Sequence, residues 1–159
     1  MGSRSSEQEA YIAGFLDGDG SLMLQIKKRH DRASAFRFMA TICLYQDTRH
    51  EQTLLWMRKI FGIGYLSRRN DGMSELRING YAQVLRILLM LKPYVRFKRV
   101  QIEALIEACG ILLSAPPRKL ESKQLIRLVD LVLIIQNENY ATKRKRSKEE
   151  LFVQLGLTP

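Results

Sequence analysis

Residues 11–21 read Y-I-A-G-F-L-D-G-D-G-S, and this stretch restricts the fold more tightly than any other. Residues 10–16 are apolar and include the small residues Ala10, Ala13 and Gly14, whereas the second half interleaves the carboxylates Asp17 and Asp19 with Gly18 and Gly20. A helix here delivers acids to a fixed point. Glycine inside a helix costs roughly 1 kcal/mol relative to alanine, so Gly14 implies close approach of another backbone on its face. The glycines around the acids let the chain turn out of the helix, and exposed carbonyls together with Asp19 form an all-oxygen corner suited to a hard divalent cation. Asp-Gly pairs also serve as ordinary turns. A calcium loop of the EF-hand type is excluded, because one beginning at Asp17 needs a glutamate where Lys28 stands.

The rest of the chain alternates helix and hairpin. A capping box over residues 6–9 starts the first helix, which is predicted to run to about Asp17. Residues 21–29 and 35–45 are predicted strands joined by a polar turn. Leu22, Leu24 and Ile26 fall on one face of the first, and Met23, Gln25, Lys27 and Arg29 on the other; Phe36, Phe38, Ala40, Ile42 and Leu44 alternate with Arg37, Met39, Thr41 and Cys43 in the second. A second capping box, residues 48–51, is predicted to open a helix that Gly62 ends. A further hairpin, residues 65–69 and 73–79, flanks the turn Asn70-Asp71-Gly72 and turns Tyr65, Ser67, Arg69, Glu75 and Arg77 outward. Helices are predicted over residues 81–91, 98–113 and 122–138, broken at Pro93 and at Pro116-Pro117, with a short terminal helix to about Leu155.

A chain of 159 residues, 46% of them hydrophobic, is expected to form a single domain over residues 1–159, with an ordered core over about 7–155. Its net charge of +10 favours a polyanionic partner. That excess is concentrated in residues 22–100, which carry +11, against −3 in residues 1–21 and +2 in residues 101–159. Two cysteines, Cys43 and Cys109, form no metal-ligand spacing or disulfide framework and are expected to be free thiols. With no apolar run long enough to span a bilayer and no signal peptide, the protein is expected to be soluble and intracellular, with no membrane partner.

Residues 12–20, I-A-G-F-L-D-G-D-G, together with the helix and hairpin order, resemble the LAGLIDADG homing endonucleases of the single-motif, homodimeric type. The resemblance implies an α+β fold, helix-hairpin-helix-hairpin-helices, with a curved antiparallel four-stranded DNA-binding saddle. It implies a homodimer formed through Tyr11, Ala13, Gly14 and Asp17, a long pseudo-palindromic duplex DNA target, and a metal-dependent staggered double-strand break. Asp19 and the Gly18 carbonyl are the implied metal ligands, with Mg²⁺ as cofactor, Mn²⁺ as a substitute, and Ca²⁺ supporting binding without cleavage. Gln46 matches a position that organises water and Lys98 the basic residue near the scissile phosphate. The position four residues after Gln46, usually basic, is His50, preceded by Arg49.

DNA contacts are expected from Gln25, Lys27, Arg29, Arg37, Tyr65, Ser67, Arg69, Glu75 and Arg77, since Arg and Lys donate to guanine and Gln pairs with adenine. Asn139, Lys143 and Lys145, in the basic loop of residues 139–148, are expected at phosphates. Two alternatives share the fold: an intron RNA maturase and a catalytically silent DNA-binding regulator.

Overall fold

The computed structural model describes residues 5–30, 36–139 and 145–157. Helix α1 (Ser6–Asp19) opens the chain, its N-cap being Ser5, whose hydroxyl accepts from the Gln8 amide. The cap therefore lies one residue before the expected box. The helix also runs two residues further than expected, so Gly18 and Asp19 are helical, and the chain turns out at Gly20. A Cβ on Gly20 would lie 2.6 Å from the Leu16 side chain and 2.7 Å from the Leu16 carbonyl oxygen, so glycine permits the immediate reversal from helix to strand.

Strands β1 (Gly20–Lys28) and β2 (Phe36–Asp47) form the first hairpin, and β3 (Tyr65–Arg68) and β4 (Met73–Asn79) the second. They make one antiparallel sheet in the order β1-β2-β4-β3. Leu22 pairs with Ile42, and Ile42 in turn with Ile78, which aligns the apolar sets of three strands on one face. That face buries Leu22, Leu24, Ile26, Phe38, Ala40, Ile42, Leu44, Leu76 and Ile78, as the period-2 pattern predicts.

Helices cover this face alone. α2 (Gln52–Phe61) contributes Leu54, Met57 and Phe61 and ends at Gly62, whose φ of 71° is the left-handed conformation of a helix stop. α3 (Tyr81–Leu91), α4 (Arg99–Ser114) and α5 (Ser122–Glu138) follow as predicted, and their apolar stripes complete one continuous core. A short α6 (Lys148–Leu155) packs on α5.

Two expected features differ. Glu51 does not close a capping box: Asp47 caps a 3-10 turn over Thr48–His50, and α2 starts without a side-chain cap. The Glu51 carboxylate instead accepts from Arg68 and, at 2.7 Å, from the Ser74 hydroxyl, tying the second hairpin to the start of α2. These partners hold its carboxyl down at about 2. Asn139 is also engaged, donating to the Leu22 carbonyl at 2.9 Å, while Gln154 donates to the Ile26 carbonyl at 3.1 Å. Both bonds satisfy carbonyls on the outer edge of β1, where an unpaired strand would otherwise invite another chain.

Candidate active site and nucleic-acid interface

The C-terminal turn of α1 meets the N-terminus of α4 through a reciprocal lock. The Asp17 carboxylate accepts from the backbone amides of Arg96 at 2.7 Å, Phe97 at 3.1 Å and Lys98 at 3.0 Å. An anion among the free N–H groups ahead of a helix suits both their need for acceptors and the helix dipole. In return, the Lys98 ammonium donates at 2.9 Å to the Asp17 carbonyl, one of the carbonyls at the C-terminal end of α1. Lys98 is 8% exposed and Asp17 7%, so this lock is nearly dry. Asp17 is thus turned into its own protomer and away from the outer face of α1.

Asp19, one residue beyond Gly18, is not part of this lock. It is exposed, and no hydrogen bond or ion pair engages its carboxylate among the described residues. Because Gly20 pairs with Leu44, the next residues of β2 bring Gln46 and Asp47 to the same end of the sheet. Gln46 accepts from the Asp47 amide at 2.9 Å. Asp47 accepts from the Arg49 amide at 2.9 Å and from its guanidinium at 2.8 and 3.0 Å, which holds the Asp47 carboxyl well below the usual range. His50 is exposed in the same turn. The fold therefore locks Lys98 to the turn that carries Asp19, and register places Gln46 and His50 at that end of the sheet.

The donor set is of hard oxygens, but this chain alone does not surround a cation. No group of three or more His, Cys, Asp or Glu residues is gathered to hold a metal among the described residues. Asp19 and the Gly18 carbonyl are hard oxygen donors of the kind a divalent cation takes, two of the roughly six or more it needs.

On the sheet face turned away from the helices, Lys27 pairs directly with Arg37, and both are exposed with no acid partner among the described residues. Like charges placed opposite each other in a sheet are destabilising, a cost that an approaching polyanion offsets. Gln25 is half-buried, and Arg29 is exposed just beyond the end of the same strand. From the second hairpin the face carries Tyr65, which is exposed, the half-buried Ser67, and Arg69, which pairs with Asp71 at 2.9 Å. Arg77 is half-buried, and Glu75 lies beneath it, almost covered.

Some expected site residues are placed elsewhere. Ala13 is fully buried in the core, so it does not lie on the open side of α1. Tyr11 and Gly14 do lie there, with empty space around Gly14 within the protomer. The Asn139 amide is committed to the edge of β1, Lys145 is exposed, and Lys143 lies outside the described residues. Tyr45, Asn79 and Phe97, which the sequence did not single out, also lie on the open face or beside the lock. Tyr45 and Asn79 follow from the strand period, since they extend the alternation of Cys43 and Arg77. Phe97, 76% exposed beside the Asp17 lock, sits in a loop with no periodic signal.

A four-stranded antiparallel sheet with helices on one face, a basic open face and an acid-tipped helix at one end define an α+β fold of one compact class. The model of the LAGLIDADG endonuclease family matches residues 12–107, and the chain belongs to that family. It is 35% identical over 98 residues to DNA endonuclease I-CvuI of Chlorella vulgaris, covering 62% of this chain and 61% of that protein. It is 28% identical over 105 residues to DNA endonuclease I-CreI of Chlamydomonas reinhardtii, covering 66% and 64%. The chain thus spans a little under two thirds of the length of these curated relatives. Its fold is similar to the crystal structure of I-CvuI in complex with its target in the presence of 2 mM Ca, with a TM-score of 0.82 and 28% identity over 96% of this chain and 97% of that one. The I-SmaMI endonuclease bound to cleaved DNA shares the fold at a TM-score of 0.73 and 18% identity, over 95% of this chain and 49% of that chain.

Proposed function

We propose that the chain is a site-specific homing endonuclease that binds a long pseudo-palindromic DNA duplex as a homodimer and hydrolyses one phosphodiester in each strand. The observation that carries this reading is an unengaged Asp19 at the end of α1 with Lys98 hydrogen-bonded to the carbonyl two residues before it, at the end of a sheet whose open face is basic. Membership of the family and the naming of relatives as DNA endonucleases support it.

Each residue at the site has a distinct part. Asp19 and the Gly18 carbonyl would hold a divalent cation, Mg²⁺ or Mn²⁺, which when bound would lower the pKa of water and neutralise charge on the phosphate. Lys98 spends one ammonium hydrogen on the Asp17 carbonyl and keeps two for a phosphate oxygen. Gln46 orients water with its amide nitrogen, its oxygen being engaged by the Asp47 amide. His50, beside Arg49, meets the same phosphate end of the site. Lys27, Arg29, Arg37 and Gln25 line the groove-facing strands, with Tyr65, Ser67 and Arg69 on the second hairpin and Lys145 at the phosphates.

The dimer forms across the open side of α1. Gly14 and Gly18 have nothing within 4 Å of a built Cβ, so a second helix can approach their backbone closely. Exposed Tyr11 borders that strip, its ring edge-on to Trp56 at 5.6 Å. Two copies would bring two Asp19 side chains together, and bound cations would offset the repulsion of these like charges. The fold fills most of this chain but about half of I-SmaMI, which leaves that chain room for a second unit of similar size. The unit is a single domain, and no described helix is long and apolar enough to cross a membrane.

The test is selection from a randomised duplex library, by binding in Ca²⁺ and by cutting in Mg²⁺, with sedimentation of the complex. The reading expects one pseudo-palindrome from both selections, held by two protomers. No duplex selected while a folded intron RNA added as competitor is retained, or binding of duplex with no cutting in Mg²⁺ or Mn²⁺, would replace it with the maturase or the regulator.

A further inference from the structure

Strand β4 places Glu75 and Arg77 on the open face, two residues apart, with Cys43 of β2 and Tyr65 of β3 directly across from Arg77. Glu75 is only 8% exposed, and its Oε1 accepts from Arg77 Nε at 2.6 Å with Cys43 Sγ 3.8 Å away. Burial suits this carboxylate poorly as a contact for solvent or for a base donor, because a covered charge persists where a partner compensates it. The contact takes only the Nε side of the guanidinium. Neither Nη nitrogen meets a protein acceptor among the described residues. One edge of a planar fork is therefore pinned, while its two parallel donors remain free on an open basic face.

Charge cancellation decides between two uses of such an arginine. A residue that serves as a phosphate anchor works through net charge, which Glu75 largely removes. What the pair retains is direction, and direction is what base readout needs: two parallel donors at fixed spacing match O6 and N7 of guanine. We propose that Glu75 is a positioning residue that does not itself contact DNA, and that it holds Arg77 to read one guanine in the major groove of each half-site. This inference rests on the endonuclease reading and names part of its target.

The experiment is a base-preference profile of the full-length protein, measured by equilibrium binding in Ca²⁺ on every single-base variant of the selected duplex. Wild type should require G·C at one symmetric pair of positions, losing roughly 5- to 150-fold per half-site for other bases. Arg77→Lys, which keeps the charge and lacks the fork, should lose that preference with little change on other duplexes. Glu75→Ala should flatten the same position, whereas Glu75→Gln, which keeps an acceptor for Nε, should restore it. A profile left intact by Glu75→Ala, or a uniform loss of affinity with Arg77→Lys, overturns the proposal while leaving the endonuclease standing. Failure of wild type to prefer any duplex overturns both.

Discussion

Asp17 offers the sharpest energetic prediction. Replacing it by alanine removes three hydrogen bonds to an ionised acceptor, at 2.7, 3.0 and 3.1 Å, and strands the amides of Arg96, Phe97 and Lys98 in a nearly dry site. Bonds to charged groups contribute about 1.5–3 kcal/mol each, and three that share one carboxylate add incompletely, so the expected loss is about 3–5 kcal/mol. For a domain of this length that lowers Tm by about 10 °C. Asp17→Asn should lose about half as much, because one amide oxygen can still accept from Phe97 and Lys98 while its NH₂ faces the Arg96 donor. Urea unfolding at fixed protein concentration measures the stability, and single-turnover cleavage reports on Lys98. Since the lock positions Lys98, Asp17→Ala should add little to the cleavage defect of Lys98→Ala. An Asp17→Ala variant within about 0.5 kcal/mol of wild type would refute the lock as a stabilising element.

Other consequences concern pH and assembly. Glu51 is held near 2 in the folded protein, against an ordinary value of 4.5, so its stabilisation is complete above about pH 4.5 and disappears as pH falls towards about 2. The gap in urea midpoint between wild type and Glu51→Gln should therefore be widest at neutral pH and close across that window; a constant gap would contradict the assignment. Gly14→Leu meets open space within the protomer and replaces a poor helix former, so the fold should survive while the dimer dissociates. Sedimentation showing an intact dimer of this variant would move the interface off α1.

The helices and strands were readable because their breakers are unambiguous and their periods differ: Gly62, Pro93 and Pro116-Pro117 stop helices, and alternation at residues 22–26 and 36–44 divides the sheet into two faces. Residues that act over distance were not. Glu51 sits three after Thr48, in the spacing of a local cap, yet Arg68 and Ser74 offer a cationic and a hydroxyl partner that the local geometry does not. The resemblance set Asp19 apart from Asp17 but put Asp17 at the dimer interface, and only the loop at residues 96–98, far along the chain, makes Asp17 a buried lock. Glu75 obeyed the alternation but is covered, because its neighbour on the same face folds over it. Asn139 had the composition of a polar loop, and the unpaired edge of β1 claimed it.

The most direct test of the central claim is cleavage of the selected duplex by wild type and by Asp19→Asn under single-turnover conditions in Mg²⁺, with binding measured in parallel in Ca²⁺. The geometry predicts that wild type cuts both strands, and that Asp19→Asn binds the same duplex with similar affinity and cuts neither. Cleavage by Asp19→Asn at the wild-type rate would place the chemistry elsewhere in the molecule.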